Sequence, residues 1–164
     1  MANTRAVFPG TFDPVTHGHQ DLIRRTASMF PTVIVAVAVA HHKKTLFTLD
    51  ERLDLARSVL APLDNVEVLP FDGLVRDFAL AHHANVLVRG VRSVTDFDFE
   101  AQLAGMNRAL AAQLDTVFLT PDARFQFISS TLVREISTLQ GDVAPFVAPE
   151  VLAALRAKHP ARNV

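Results

Sequence analysis

The chain has 164 residues, 49% of them hydrophobic and 20% charged, and its 16 basic and 17 acidic side chains leave a net charge of −1. These values predict one folded globular domain and exclude a disordered protein, and the lack of a basic excess argues against binding along a nucleic acid. With no cysteine, the chain has neither disulfides nor thiolate metal ligands.

Strand-like and helix-like segments alternate along the chain. Short β-prone or continuously apolar runs predict five strands, at residues 5–8, 32–40, 66–69, 86–88 and 116–119. Apolar residues at helical spacing predict helices after residue 16, after residue 48, at 74–83, 96–113 and 129–139, and from 149 onward. This alternation predicts a doubly wound parallel sheet in a single α/β domain, with a C-terminal helical extension from about residue 142.

Particular residues mark the helix ends in this pattern. Thr16 is the expected N-cap of the first helix, and Thr48 with Glu51 forms a capping box at the start of the second. Gly141 is the expected left-handed residue just beyond the fifth helix, and Pro149 the expected first residue of the last one.

The segment after the first strand reads P-G-T-F-D-P-V-T-H-G-H from Pro9 to His19. Ligands of parallel α/β sheets bind beyond the carboxyl ends of the strands, which makes this loop a candidate site. With Thr16 as N-cap, His17, Gly18 and His19 lie in the first helical turn, where free N–H groups and the helix dipole attract phosphate. Histidines two residues apart do not share a helix face, which disfavours a metal pair. A merely solvated helix start suits a lone histidine better than this combination.

Basic and hydroxyl side chains follow other strands as well. The run H-H-K-K at 41–44 is either a solvated basic loop or the source of one lysine in the site. Arg89 and Arg92 flank a glycine and a valine at the end of a buried strand, where two guanidinium groups can fork onto phosphate oxygens. The run F-Q-F-I-S-S-T at 125–131 ends in hydroxyls at another helix start, and ordinary N-capping explains one serine there but not the whole run.

The ordered set of motifs resembles the phosphopantetheine adenylyltransferase family of the nucleotidylyltransferase superfamily, from about Arg5 to beyond Gly141. The matching pieces are P-G-T-F-D-P, T-H-G-H, K-K before F-T-L-D-E-R, V-R-G-V-R, D-F-D-F-E, M-N-R, I-S-S-T and Q-G-D-V. The chain has His17 where the family often has Asn, Phe99 where Tyr is common, and Phe125 where Trp or Tyr is common. The loop at 125–127 is therefore expected to meet ATP through its backbone.

The resemblance implies a Rossmann-like fold and transfer of the adenylyl group of ATP to 4′-phosphopantetheine, giving dephospho-coenzyme A and pyrophosphate. It also implies Mg²⁺ carried by the ATP phosphates, with no metal site of the protein's own, and coenzyme A as a feedback ligand. A cytoplasmic homohexamer is the expected form, with neither nucleic acid nor membrane as a partner.

Residue roles follow from the same resemblance. His19, Lys43 and Arg92 are the expected catalytic residues, with Lys43 bridging the acceptor phosphate and the α-phosphate. Thr11, Lys43, Val75 and Arg89 are expected to bind phosphopantetheine. The expected ATP-binding residues are Thr11, Phe12, His19, Gly90, Val91, Arg92, Glu100, Phe125, Gln126, Phe127, Ile128, Ser129, Ser130 and Thr131.

The implied chemistry needs no general base, because a phosphate monoester with a second pKa of about 6 is already largely dianionic at pH 7. Positioning of an in-line attack and charge stabilisation remain. Two alternatives stay open. One is a related nucleotidyltransferase with another acceptor, and the other is a non-catalytic nucleotide sensor. The presence of His19, Lys43 and Arg92 favours an enzyme, since sensing needs affinity but no transition-state stabilisation.

Overall fold

Five parallel strands form one sheet with helices on both faces in the computed structural model, which describes residues 4–41 and 44–159. The strands are β1 (Arg5–Gly10), β2 (Thr32–Ala38), β3 (Val66–Phe71), β4 (Val86–Gly90) and β5 (Asp115–Leu119). The helices are α1 (His17–Met29), α2 (Leu49–Leu60), α3 (Val75–Ala81), α4 (Val94–Leu110), α5 (Ser130–Thr138) and α6 (Pro149–Lys158), the last preceded by a 3₁₀ turn, Ala144–Phe146. The predicted doubly wound parallel fold is confirmed.

The strand order is β3-β2-β1-β4-β5, with every pair parallel. The chain winds outward from β1 to β3, then crosses to the other side of β1 for β4 and β5. β1 and β4 are therefore neighbours where the winding direction reverses, with Ala6 opposite Val86 and Val7 opposite Leu87. In such sheets, the crevice beyond the carboxyl ends at this switch point is where ligands bind.

β2 is buried on both of its faces. Val33, Val35 and Val37 belong to the larger apolar core, which also takes in residues of α1, α2, α5 and α6. Ile34 and Ala36 point the other way, into the smaller core under α3. Because both faces are covered, this strand has a continuous apolar run in place of polar alternation.

The predicted helix starts at Thr16, Thr48 and Pro149 are confirmed. The Oγ1 atom of Thr48 accepts from the Glu51 amide at 3.2 Å, and the Glu51 carboxylate accepts from the Thr48 amide at 2.8 Å. α4 begins earlier than predicted, at Val94, because Ser93 is its N-cap.

The end of α5 corrects the prediction for Gly141. Gln140 is the left-handed residue, with φ 64°. The Gln140 amide donates to the Ser137 carbonyl at 3.0 Å, and the Gly141 amide donates to the Ile136 carbonyl at 2.8 Å. This pair of bonds is the Schellman arrangement, in which the left-handed residue comes one position before Gly141. Glycine at 141 fits the space there, since a Cβ would lie 2.6 Å from the Ile136 Cγ2 atom and 3.2 Å from the Ile136 carbonyl oxygen, and Ile136 would have to move.

α4 differs from the other long helices in its burial. None of its 17 residues is buried, and Val94, Phe99 and Met106 expose 79%, 61% and 63% of their surface. A helix with this many apolar side chains and no buried face usually borders a ligand cavity or another protein surface. Within residues 4–41 and 44–159, no helix is both long enough and apolar enough to cross a membrane.

Candidate active site

A cavity of about 900 Å³ opens beyond the carboxyl ends of β1 and β4. The first turns of α1 and α5, one side of α4 and the start of α3 complete its walls. The predicted site residues that line it are Thr11, His19, Val75, Arg89, Gly90, Arg92, Glu100, Phe125, Ile128, Ser129, Ser130 and Thr131. The remaining predicted site residues are Phe12, Val91, Gln126 and Phe127, which stand behind or beside the cavity, and Lys43, which lies outside the described residues.

The side chains that stand behind or beside the cavity support its walls. Phe12 is buried, and its ring lies 5.0 Å from the imidazole of His19, centre to centre. Val91 is also buried, and the Gln126 side chain donates to the Arg92 carbonyl at 2.8 Å. Phe127 is exposed and packs edge-on against a phenylalanine of the 3₁₀ turn. Ligand contacts of these four residues remain predictions.

The first turn of α1 holds the imidazole of His19 in one orientation. The backbone amide of Thr16 donates to His19 Nδ1 at 3.1 Å, so His19 takes the place that Glu or Gln has in an ordinary capping box. Because an amide can only donate, Nδ1 carries the lone pair and the proton of the neutral ring sits on Nε2. His17 bonds instead to Gln20 at 2.8 Å, so the two histidines of the motif serve different purposes.

Burial and the positive charge of Arg92 lower the pKa of His19 from 6.5 to about 4. Both causes disfavour the imidazolium form, and burial is the larger of the two. At neutral pH the ring is therefore an uncharged Nε2–H donor at the cavity wall.

We expect nitrogen NMR of the free protein to show His19 as the Nε2–H tautomer from pH 8 down to about 5, with titration near pH 4. In Arg92→Ala the pKa of His19 should rise, yet stay below 6.5 because burial persists. Above pH 6.5 His19 is neutral in both the folded and the unfolded protein, so the full free energy of unfolding is retained. As the pH falls from 6.5 toward 4, the unfolded chain binds a proton that the folded protein does not, and the free energy of unfolding decreases. A folded-state pKa near 6.5 would contradict the effect of burial and Arg92, and a neutral ring protonated at Nδ1 would contradict the tautomer assignment.

Arg89, at the end of β4, is held by a carboxylate from α4. Its Nε and Nη2 atoms donate to the two Glu100 oxygens at 2.7 and 2.5 Å, and Nη1 donates to the Pro9 carbonyl at 3.0 Å. Such a two-pronged pair fixes the plane of the guanidinium. The structure thus joins Glu100, predicted to hold ATP, to Arg89, predicted to hold the acceptor phosphate.

Arg92 connects the β4 end to the loop before α5. Its Nε donates to the Asp96 carboxylate at 3.1 Å, and its Nη1 donates to the Ile128 carbonyl at 3.3 Å. Asp96 was not among the predicted site residues, although it lies four positions after Arg92, close enough to pair with it. The contact holds the guanidinium beside His19, where its charge is felt by the imidazole.

The serines before and at the start of α5 have separate tasks. The Ser129 Oγ atom caps the helix by accepting from the Leu132 amide at 3.1 Å, the ordinary role considered for one serine of this run. The Ser130 hydroxyl donates to the Pro14 carbonyl at 2.8 Å and so ties α5 to the loop after β1. Two helix N-termini, those of α1 and α5, therefore border one cavity, and each favours an anion there.

The opposite end of the cavity is apolar. Phe71, Leu74 and Val75 line it where β3 ends and α3 begins, two strands away from β1. Phe99 and Leu103 of α4 line the same cavity on either side of Glu100. Val75 was predicted from the sequence, and the other four residues were not. The spacing of four residues between Phe99 and Leu103 puts them on one side of α4, a signal that was present in the sequence. The cavity therefore has a cationic end suited to phosphates and an apolar end suited to a flexible, uncharged chain.

No group of three or more His, Asp or Glu side chains that could hold a metal ion occurs in the described part of the chain. The acidic groups at the cavity, Glu100 and Asp96, are each paired with an arginine. Their charge is thereby largely neutralised, and they make poor ligands for a cation.

Comparison with known proteins agrees with this geometry. The sequence pattern of the cytidylyltransferase-like family matches residues 7–136. A phosphopantetheine adenylyltransferase of Acidovorax sp. (strain JS42) is 63% identical over 151 residues, which are 92% of each chain. The enzyme of the same name from Bordetella avium (strain 197N) is 53% identical over 158 residues, covering 96% of this chain and 95% of the relative.

Among solved structures, a bifunctional NMN adenylyltransferase/ADP ribose pyrophosphatase from Francisella tularensis superposes with a TM-score of 0.74. The superposition covers 97% of this chain and 50% of that one, at 15% identity, and so supports the fold alone. Identity above 50% over nearly the full length, on a sheet whose switch point carries a cationic cavity, decides the family. The chain belongs to the phosphopantetheine adenylyltransferase family, within the cytidylyltransferase-like group of nucleotidyltransferases.

Proposed function

We propose that this enzyme transfers the adenylyl group of ATP to 4′-phosphopantetheine, a reaction of coenzyme A biosynthesis. An oxygen of the acceptor phosphate bonds to the α-phosphorus of ATP while the bond to the leaving pyrophosphate breaks, and dephospho-coenzyme A is formed. The observation that carries the proposal is the two-ended cavity, in which His19, Arg89 and Arg92 face one space with an apolar wall. Phosphates fit the first end and the uncharged pantetheine arm fits the second.

At the ATP phosphates, the proposed donors are His19 and Arg92. The neutral imidazole offers Nε2–H to an oxygen of the α-phosphate, and this bond strengthens as negative charge grows there during transfer. The positive charge of Arg92 and the two helix N-termini stabilise the negative charge on the leaving pyrophosphate. Because their partners already hold these groups in place, little reorganisation is needed at the moment of reaction.

At the acceptor, Arg89 is the proposed partner of the phosphate, with Glu100 setting the plane of its guanidinium. Thr11 orients both phosphates, and Val75 meets the pantetheine arm with its backbone. Lys43 is proposed to bridge the two phosphates from its place in the chain between β2 and α2. None of these groups has to remove a proton, because the attacking phosphate is already largely dianionic at neutral pH.

The direct test is pyrophosphate release with saturating ATP and one acceptor at a time. Phosphopantetheine should be turned over, whereas pantetheine without its phosphate and nicotinamide mononucleotide should not. Equal turnover of pantetheine would show that Arg89 and the cationic end of the cavity do not recognise an acceptor phosphate. ATP binding without turnover of any acceptor would favour the nucleotide sensor.

Mg²⁺ is proposed to enter as the complex with ATP and to neutralise part of the phosphate charge when bound. The paired states of Glu100 and Asp96 support this, since neither offers a free carboxylate to a cation. Calorimetry should then detect no Mg²⁺ binding to the free protein, while a chelator should abolish turnover. Tight binding of Mg²⁺ without nucleotide would contradict the proposal.

A homohexamer is the proposed assembly, as the family resemblance implies. The apolar side chains that α4 leaves exposed support burial of this helix against a second copy. Sedimentation at micromolar concentration should give a hexamer for the parent protein and smaller species for Met106→Glu. Leu139→Glu is the matched control, with a similarly exposed apolar residue away from α4. A monomeric parent protein would refute the assembly without affecting the chemistry.

Coenzyme A is proposed as a feedback ligand, because it shares the pantetheine arm and the adenylate of the reaction product. It should fill the same cavity and inhibit in competition with phosphopantetheine, and this can be measured from initial rates. The proposed location is the cytoplasm, where ATP is supplied. Inhibition that phosphopantetheine cannot relieve would place coenzyme A elsewhere on the protein.

A further inference from the structure

A buried arginine joins the turn after β1, residues 11–14 and called the phosphate-binding turn below, to the end of β2. Arg52, on α2, exposes 1% of its surface. Its Nη1 atom donates to the Thr11 carbonyl at 2.8 Å and to the Ala38 carbonyl at 2.7 Å, and its Nη2 donates to the Val39 carbonyl at 3.4 Å. One guanidinium therefore sets the distance between two loops that come from neighbouring strands.

A buried carboxylate makes the complementary connection. Asp13 exposes 2% of its surface, and its two oxygens accept from the Leu46 and Phe47 amides, both at 2.9 Å. On its other side, Asp13 pairs with Arg134 of α5 at 3.4 Å. The chain between β2 and α2 is thus attached to the phosphate-binding turn at both ends, by Arg52 where it leaves β2 and by Asp13 where it enters α2.

Stability alone is a poor explanation for Arg52. Removing a guanidinium from water is unfavourable, and the charge of Asp13 compensates only part of this for Arg52. A whole buried ion pair can often be replaced by apolar side chains of similar volume without loss of stability, although removal of one partner alone is destabilising. The Nε–H of Arg52 is buried and has no acceptor within the described residues. What the arginine provides, and an apolar side chain lacks, is a rigid fork that reaches several carbonyls at once.

We propose that Arg52 is a positioning residue for adenylyl transfer, which holds the Thr11 turn in register with the end of β2 through its carbonyl contacts. The inference rests on the proposed function. Thr11 is the proposed orienting residue for both phosphates, so a shift of its backbone moves the reacting groups apart. Such misplacement reduces the rate of the chemical step far more than it weakens ground-state binding.

The test compares Arg52→Met and Arg52→Lys with Leu114→Ala. Leu114 exposes 1% of its surface and lies before β5, at the end of the sheet away from the cavity, so its variant reports core destabilisation alone. We expect Arg52→Met to lower kcat about 10- to 100-fold with little change in either KM. Arg52→Lys keeps the charge but not the fork, so its kcat should fall between parent and Arg52→Met. Leu114→Ala should lower Tm and keep kcat.

Hydrogen exchange provides a readout that does not depend on turnover. Peptides covering residues 8–14 and 44–50 should exchange faster in the Arg52 variants than in Leu114→Ala. If Arg52→Met does not fold, Arg52→Lys decides by the same measurements. Parent-like kcat in a folded Arg52 variant overturns the inference while the parent enzyme remains active. An inactive parent would instead refute the proposed function.

Discussion

His19→Ala should lower kcat by about 10²–10³-fold and change ATP binding far less. Loss of one preorganised donor to a charge that develops in the transition state typically removes about 3–4 kcal/mol of stabilisation. The α1 helix terminus still attracts the ground-state phosphates in this variant, because its backbone amides are unchanged. Because the pKa of His19 is about 4, the imidazole stays neutral when the pH is lowered through 6.5. Protonation of His19 should therefore not lower kcat of the parent enzyme in that range. Steady-state kinetics with both substrates varied measures these effects.

The same substitution also removes a helix cap, so a control is needed. Without His19 Nδ1, the Thr16 amide loses its acceptor, and we expect a stability loss of about 1 kcal/mol. His19→Gln places at N3 a side chain that can accept from that amide, as in an ordinary capping box. It should therefore recover Tm but not kcat. Near-normal kcat with lost ATP affinity in the folded alanine variant would make His19 a binding residue and favour the sensor.

Arg89→Ala should lower kcat/KM for phosphopantetheine about 30- to 150-fold. That range corresponds to the loss of about 2–3 kcal/mol, typical of hydrogen bonds to a charged group. Lys43→Ala should act on the same substrate in the same direction. Arg89→Lys should recover only part of the loss, because an ammonium retains the charge without the two-pronged geometry. Because Glu100, the partner of Arg89, is a predicted ATP-binding residue, nucleotide affinity must be measured as well. Fluorescence titration with a nucleotide analogue should show a much smaller change than that in kcat/KM for phosphopantetheine.

Arg89→Ala also leaves Glu100 unpaired, and this must be separated from the effect on the substrate. Glu100 is mostly buried, so an uncompensated carboxylate there destabilises the fold. The double variant Arg89→Ala/Glu100→Ala removes both charges and should regain Tm while acceptor use stays low. If the double variant regained kcat/KM as well, Arg89 would act through the fold and not on the phosphate.

The secondary structure and the cationic end of the site were predictable because their signals are local. Thr16 and Thr48 indicate where α1 and α2 begin, because each caps its helix by hydrogen bonds to a residue three positions later. The continuous apolar run of β2 indicates that both faces of this strand are covered. The prediction for Gly141 was wrong by one position, because a close approach to Ile136 also favours glycine, and from the sequence this cannot be told from the need for a left-handed φ.

Contacts between distant elements could not be predicted in the same way. Arg52 appears in the sequence as one charge on an amphipathic helix, and only the sheet order brings the Thr11 and Ala38 carbonyls to it. The Arg89–Glu100 pair likewise depends on how α4 lies against β4. Both residues were predicted as site residues from the sequence, but the bond between them could be found only from the three-dimensional arrangement.

The exposure of α4 has a thermodynamic consequence. The helix gives Phe99 and Leu103 to the cavity, while Val94 and Met106 stand free for the proposed contact between subunits. Acceptor binding and oligomerisation then act on one structural unit and form a linked equilibrium. By reciprocity, the factor by which the acceptor tightens association equals the factor by which association tightens acceptor binding. If the acceptor tightens association, the affinity for phosphopantetheine should decline on dilution of the enzyme, and a rise on dilution would mean that the acceptor weakens association.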